Sequence, residues 1–179
     1  NRVATTAKAA IGSLLATSML ATAVPASAQY RDRHRDHDGI SAGEVIAGAV
    51  IIGCDSSLEF DGESLGKPHL PEVAIDRWKN LRGKSGRLYS GHWVIDNRDP
   101  ANPIAVGRVS HATVHFANLS DSEIEAYVAT GEPLKVAGAF TIDGLGGAFI
   151  SRIDGDPHTV VGLSLPTLRE LILELGIEY

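Results

Sequence analysis

Between Ile104 and Ala117 apolar and polar side chains alternate, with Ala112, Val114 and Phe116 interleaved between His111, Thr113 and His115. A period of two belongs to a β-strand, and alternation this strict buries one face and leaves the other polar. Helical patterns flank it. Pro71 to Arg82 places Ala74, Trp78 and Leu81 on one side of a helix that opens on a proline and stops at Gly83. Ser120-Asp121-Ser122-Glu123 is a capping box, predicting a helix to about Thr130, where Gly131 ends it. Pro166 opens a last helix whose Leu168, Leu171, Ile172 and Leu175 form a stripe running to Gly176.

Further strands are expected at about 87–96, 136–142 and 148–153, the first joined to 104–117 by the turn-rich Asn97-Arg98-Asp99-Pro100. Residues 44–53 read as a buried strand; the rival is a short apolar helix, which internal glycines disfavour. Residues 54–70 then form a loop, and 160–165 is a short apolar stretch. Strand and helix patterns in alternation predict an α/β domain, and 179 residues suit one domain of ordinary size.

Charge narrows the partners. The net charge is -6, and of 16 basic and 22 acidic residues, 11 and 18 fall in the body at 54–179. An acidic body argues against a nucleic acid polymer as partner, since phosphate backbones need clustered Lys and Arg. A nucleotide remains compatible, provided a metal ion and a few local cations offset its phosphates. Cys54 is the one cysteine, which excludes an intramolecular disulfide and a multi-cysteine metal site. No apolar run reaches the roughly 18 residues of a membrane span.

Residues 1–28 differ in character. Arg2 and Lys8 precede a largely apolar run from Ala9 to Val24, and Ala26-Ser27-Ala28 has a small-x-small form. This reads as a secretory signal peptide cleaved before Gln29, with an Ala-rich amphipathic helix as the alternative. Residues 29–43, including YRDRHRDHDG (30–39), read as a charged linker; His34 and His37 lie there among arginines that would repel a cation.

Asp55 follows the apolar 44–53 stretch, at the strand end where open α/β sheets place ligands and catalytic groups. A carboxylate there can orient a water or bind a metal; the plain alternative is a turn aspartate. Lys67 lies between Gly66 and Pro68 and offers a fixed positive charge for phosphate oxygens. Cys54 has no evident base partner and reads as a small buried hydrophobe. Gly144-Leu145-Gly146-Gly147 and Asp154-Gly155-Asp156 read as turns. His92, His111 and His115 lack metal-ligand spacing and read as strand-surface or core polar groups.

The segments GCDSSLEFDGESLGKP (53–68), LRGKSGRLYSGH (81–92), TVHF (113–116), LSDSEIEAYVATGEPLKVAGAFTIDG (119–144) and IDGDPHTVVGLSLPTLREL (153–171) together resemble the Maf family. The resemblance implies an α/β fold whose mixed sheet has flanking helices and a cleft between two lobes, in a protein that is often dimeric and cytoplasmic. The implied activity is hydrolysis of nucleoside triphosphates, standard or modified, to the monophosphate and pyrophosphate with Mg2+ or Mn2+. By the same resemblance Asp55 is the proton acceptor and a metal ligand, and Lys67 the active-site lysine. Ser56 and Asp143 fall on positions that influence the base, and Ser85, Gly86, Thr113, Glu132 and Gly138 on family positions of less defined role. Tyr89 stands where the family usually has a histidine. The family's opening strand and Ser-x-Ser-Pro-Arg-type phosphate turn have no counterpart in residues 1–44, so 44–179 reads as a Maf-like domain incomplete at its N-terminus. Two other readings stay open: a catalytically impaired remnant that keeps nucleotide binding, and an exported interaction protein with a genuine leader.

Overall fold

The computed structural model describes residues 48–178; the signal-like segment, the charged linker and the start of the 44–53 strand lie outside them. The elements are β1 (Ala49–Phe60), β2 (Glu63–Leu65), α1 (Pro71–Leu81), β3 (Ser85–Asn97), β4 (Ile104–Phe116), α2 (Asp121–Ala129), β5 (Ile150–Asp154), α3 (Pro157–Val161) and α4 (Leu165–Glu174). The strands form one sheet in the order β2-β1-β3-β4-β5. Among the described residues every pairing in it is antiparallel.

β1 runs further than the sequence suggested. Leu58 and Phe60 continue the inward alternation past Asp55, and Asp61 and Gly62 then turn the chain with φ of 50° and 85°. Two left-handed residues make the two-residue hairpin turn that matches strand twist, and Asp-Gly is its sequence signature. Residues 54–60 and 63–65 are therefore strand, not loop. The expected strand at 136–142 is also absent. Short 3-10 turns occupy Glu132–Lys135 and Ala137–Ala139, with left-handed φ at Gly138 (71°) and Ala139 (65°). A Cβ on Gly138 would lie 2.8 Å from Leu58 Cδ2, so the chain turns here against β1. The strand expected at 148–153 begins at Ile150, after a 3-10 turn over Leu145–Phe149.

The apolar faces of β1, β3 and β4 meet the helices as the alternation requires. Leu58, Leu88, Ala112, Val114 and Phe116 pack with Ala74, Trp78 and Leu81 of α1 and Ile124, Tyr127 and Val128 of α2. Trp78 is fully buried, its ring edge-on to Phe116 and Tyr127 at 5.6 Å and to Phe149 at 6.0 Å. Its Nε1–H donates to the Ala139 carbonyl at 2.8 Å, which ties the 137–139 turn to α1. The capping box stands as read: Ser120 Oγ accepts from the Glu123 N–H, and the Glu123 carboxylate accepts from the Ser120 N–H at 2.7 Å. On the same face of the sheet, Val94, Leu168 and Leu171 form a second cluster under α4. Among the described residues no helix is long and apolar enough to cross a membrane.

Candidate active site

Side-chain alternation decides what each strand residue can touch. Asp55, Ser57 and Glu59 leave β1 on the face opposite Leu58 and Phe60, away from the helices. Asp55 is exposed in mid-strand, opposite Gly91 of β3 and not at a strand tip. Its Oδ1 accepts the Ser56 N–H at 2.9 Å, and among the described residues it forms no ion pair. Cys54 beside it also reaches solvent, yet partial burial and then the Asp55 charge push its thiol up to about 11. It is protonated at neutral pH and is no nucleophile.

Lys67 follows β2. Leu65 pairs with Leu58, so the chain leaving β2 runs beside β1 in the direction of Ser56 and Asp55. Its loop is held on both sides: the Gly66 carbonyl accepts from Arg77 Nη1 and from the Gly138 N–H, and the His69 N–H donates to the Leu134 carbonyl at 3.0 Å. Pro68 is buried while Lys67 is exposed and unpaired among the described residues. A fixed loop thus presents a free ammonium. Arg77 carries no sequence signal for this role; only the contact reveals it.

Ser56 points the other way, into the helix face. Its Oγ lies 2.6 Å from Ser90 Oγ, and Ser90, fully buried, donates to the Thr159 carbonyl of α3 at 2.7 Å. Thr159 Oγ1 donates to Ser110 Oγ at 3.0 Å. Nearby, buried His92 accepts the Ser164 N–H on Nε2 at 2.8 Å and donates from Nδ1 to the Ser90 carbonyl at 3.1 Å. The imidazole is neutral in one tautomer, and burial lowers its pKa. A polar seam thus separates the two apolar clusters. Its sequence trace is Ser90 and His92 at inward-facing positions between Leu88 and Val94.

Glu132 and Asp143 belong to the turns after α2. The Glu132 carboxylate accepts from Tyr127 Oη at 2.8 Å, the Leu145 N–H at 2.9 Å and the Gly146 N–H at 2.8 Å. Partial burial opposes its ionisation, but the two N–H groups and the phenol outweigh it and hold the carboxyl below its usual range. Burial, then Glu132, raises the Tyr127 phenol well above the ordinary tyrosine value. The glycine turn at 144–147 accordingly encloses a carboxylate of its own chain. Asp143 next to it is exposed and accepts from Thr141 Oγ1.

Ser85 and Thr113 lie on the Asp55 face but toward the other end of the sheet. Thr113 is four residues along β4 from Val109, the residue level with Asp55, a displacement of roughly 13 Å. Tyr89 shares this face, buried, its ring centroid 5.8 Å from that of His111. His115 Nε2 meets Asp154 Oδ2 at 2.8 Å, and Arg152 donates to the same oxygen at 2.7 Å. Asp156 caps α3 by accepting the His158 N–H at 3.0 Å. The Asp154–Asp156 turn is thus committed to its own partners, and no cluster of three metal-ligating side chains occurs among the described residues. Asp55 and Lys67, neither of them in an ion pair among the described residues, thus stand on neighbouring segments.

A family model described as Maf-like protein matches residues 14–175, starting inside the segment that reads as a signal peptide. A nucleoside triphosphate pyrophosphatase of Leifsonia xyli subsp. xyli is 56% identical over 141 residues, covering 79% of this chain and 65% of the relative. One of Salinispora tropica is 58% identical over 132 residues, covering 72% and 55%. A nucleoside triphosphate pyrophosphatase/Nudix hydrolase fusion protein of Bifidobacterium longum is 49% identical over 140 residues, covering 76% of this chain and 28% of the fusion. The chain thus spans 55–65% of the first two relatives. With a family match over residues 14–175 and 56% identity to a relative over 141 residues, the chain belongs to the Maf-like family.

Proposed function

We propose that the chain hydrolyses nucleoside triphosphates to the nucleoside monophosphate and pyrophosphate. The observation that carries this reading is the 56% identity over 141 residues to a relative named for that activity. Asp55 and Lys67 suit its chemistry. Phosphoryl transfer asks for positioned water and neutralised charge. Asp55 takes the proton of the attacking water as the α–β anhydride opens; the water oxygen stays on the phosphorus it attacks, and pyrophosphate separates from the monophosphate. Lys67 offsets the charge on the phosphate oxygens.

A divalent cation such as Mg2+ or Mn2+ fits this site, because Mg2+ is commonly held by one or two carboxylates together with substrate phosphates. Asp55 is the carboxylate that would hold it, and the ion would supply charge neutralisation and a more acidic water. Ser56 and Asp143 are assigned to the base. Ser85 and Thr113 contribute to the polar sheet face, and Glu132 acts through the turn beside Asp143. A homodimer in the cytoplasm, where these substrates are found, completes the reading.

The test is product identity. The full 179-residue chain is given ATP, GTP, CTP and UTP with Mg2+ or Mn2+. Monophosphate and pyrophosphate in equal amounts are expected; diphosphate with orthophosphate would overturn the reading. Binding without turnover would favour the impaired remnant.

A further inference from the structure

Arg77 on α1 is half-buried, and loss of water there lowers its pKa while leaving the guanidinium charged. A cation taken partly out of water is normally offset by a carboxylate. Asp61 and Glu63 line the same cavity of about 320 Å³ as Arg77, yet among the described residues Arg77 is ion-paired with neither. Its Nη1 donates to the Gly66 carbonyl instead. That oxygen belongs to the planar peptide that carries the nitrogen and Cα of Lys67, so holding it fixes the backbone from which the Lys67 side chain leaves. Packing does not hold Gly66, where an added Cβ would meet nothing within 4 Å beyond its chain neighbours. The Gly138 N–H reaches the same oxygen at the longer distance of 3.3 Å. Among the described residues Arg77 is the one side chain hydrogen-bonded to the loop at 66–69.

We propose that Arg77 is a positioning residue for the reaction: by holding the Gly66 carbonyl it fixes where the Lys67 ammonium meets the substrate phosphates. This rests on the proposed function, in which Lys67 offsets the phosphate charge. Arg77 itself touches no substrate in this account and acts through Lys67. Its worth to catalysis therefore exists only while Lys67 is present, whereas a residue that merely stabilises the fold would matter equally with or without that lysine.

The experiment measures kcat/KM for ATP, GTP, CTP and UTP with Mg2+, using the full chain, Arg77→Ala, Lys67→Ala and the double variant. Arg77→Ala should lower kcat/KM roughly tenfold to hundredfold, the scale of a small misplacement of a charged group. On the Lys67→Ala background the same change should cost less than about twofold, the usual scatter of additivity. Arg77→Lys keeps a charged donor on a long stem and should recover most of the rate. Added guanidinium ion, small enough for the cavity that Arg77→Ala enlarges, should restore rate to Arg77→Ala and not to Lys67→Ala. Arg77→Met keeps the apolar stem without the donors and decides the matter if Arg77→Ala fails to fold. An equal loss on both backgrounds would mark Arg77 as merely structural and overturn the inference while leaving the pyrophosphatase reading intact. Arg77→Ala turning over at the unsubstituted rate would do the same. A protein that binds these nucleotides without turnover defeats that reading alone, and dissociation constants then replace kcat/KM in the same cycle. A protein that binds none of them defeats both.

Discussion

At the scale of single residues, charge and burial fix several roles. His92 is neutral, buried and bonded at both ring nitrogens, with its pKa lowered by desolvation. An unfolded histidine gains a proton near pH 6.5 while folded His92 resists it, so its contribution is intact above about 6.5 and is lost as pH falls toward the lower folded value. Denaturant midpoints should therefore drop between pH 7 and 5.5, and His92→Gln should flatten that slope while lowering stability overall. Glu132 titrates in another window. Its folded pKa lies below the unfolded one, so its contribution is present above about 4.5 and fades as pH falls through the folded value. Glu132→Ala removes the acceptor of three donors and should cost about 1–3 kcal/mol in urea unfolding at pH 7.

At the scale of elements, local rules read well where one rule acted alone. Pro71, the Ser120 capping box and Pro166 open the helices expected of them, and the alternation at 111–116 faces the core as written. The failures lie where contacts outvote the local pattern. Val136 to Ile142 has strand composition, but Gly138 must pass against Leu58 and the Ala139 carbonyl is claimed by Trp78, so the backbone turns left-handed. Gly138→Ala should destabilise by at least about 1 kcal/mol, because it adds a Cβ clash to a strained φ. Thermal melting against Gly131→Ala, which also has positive φ but open space around its Cβ, separates clash from strain. The β1–β2 hairpin was legible in Asp61-Gly62, yet a run of small and acidic residues from Cys54 onward masked the strand before it. Of the candidate site, Asp55 and Lys67 were visible as residues through family motifs. The opposite facing of Asp55 and Ser56 followed only once the strand was seen to continue through both.

At the scale of the whole molecule, one sheet keeps its apolar side under the helices and turns Asp55 to the other side, with the Lys67 loop braced at the β2 edge. Core and candidate site are thus separable. Asp55 is exposed and makes one hydrogen bond to its neighbour's backbone, so Asp55→Asn should shift stability by no more than about 0.5 kcal/mol. Its effect on chemistry should be large, since a positioned proton acceptor is worth about 100-fold or more. The most direct measurement is pyrophosphate release from nucleoside triphosphate with Mg2+ by the full chain and by Asp55→Asn, alongside their unfolding midpoints. Release that falls at least about 100-fold at an unchanged midpoint is the predicted result. Release by Asp55→Asn at the rate of the unsubstituted chain would contradict it.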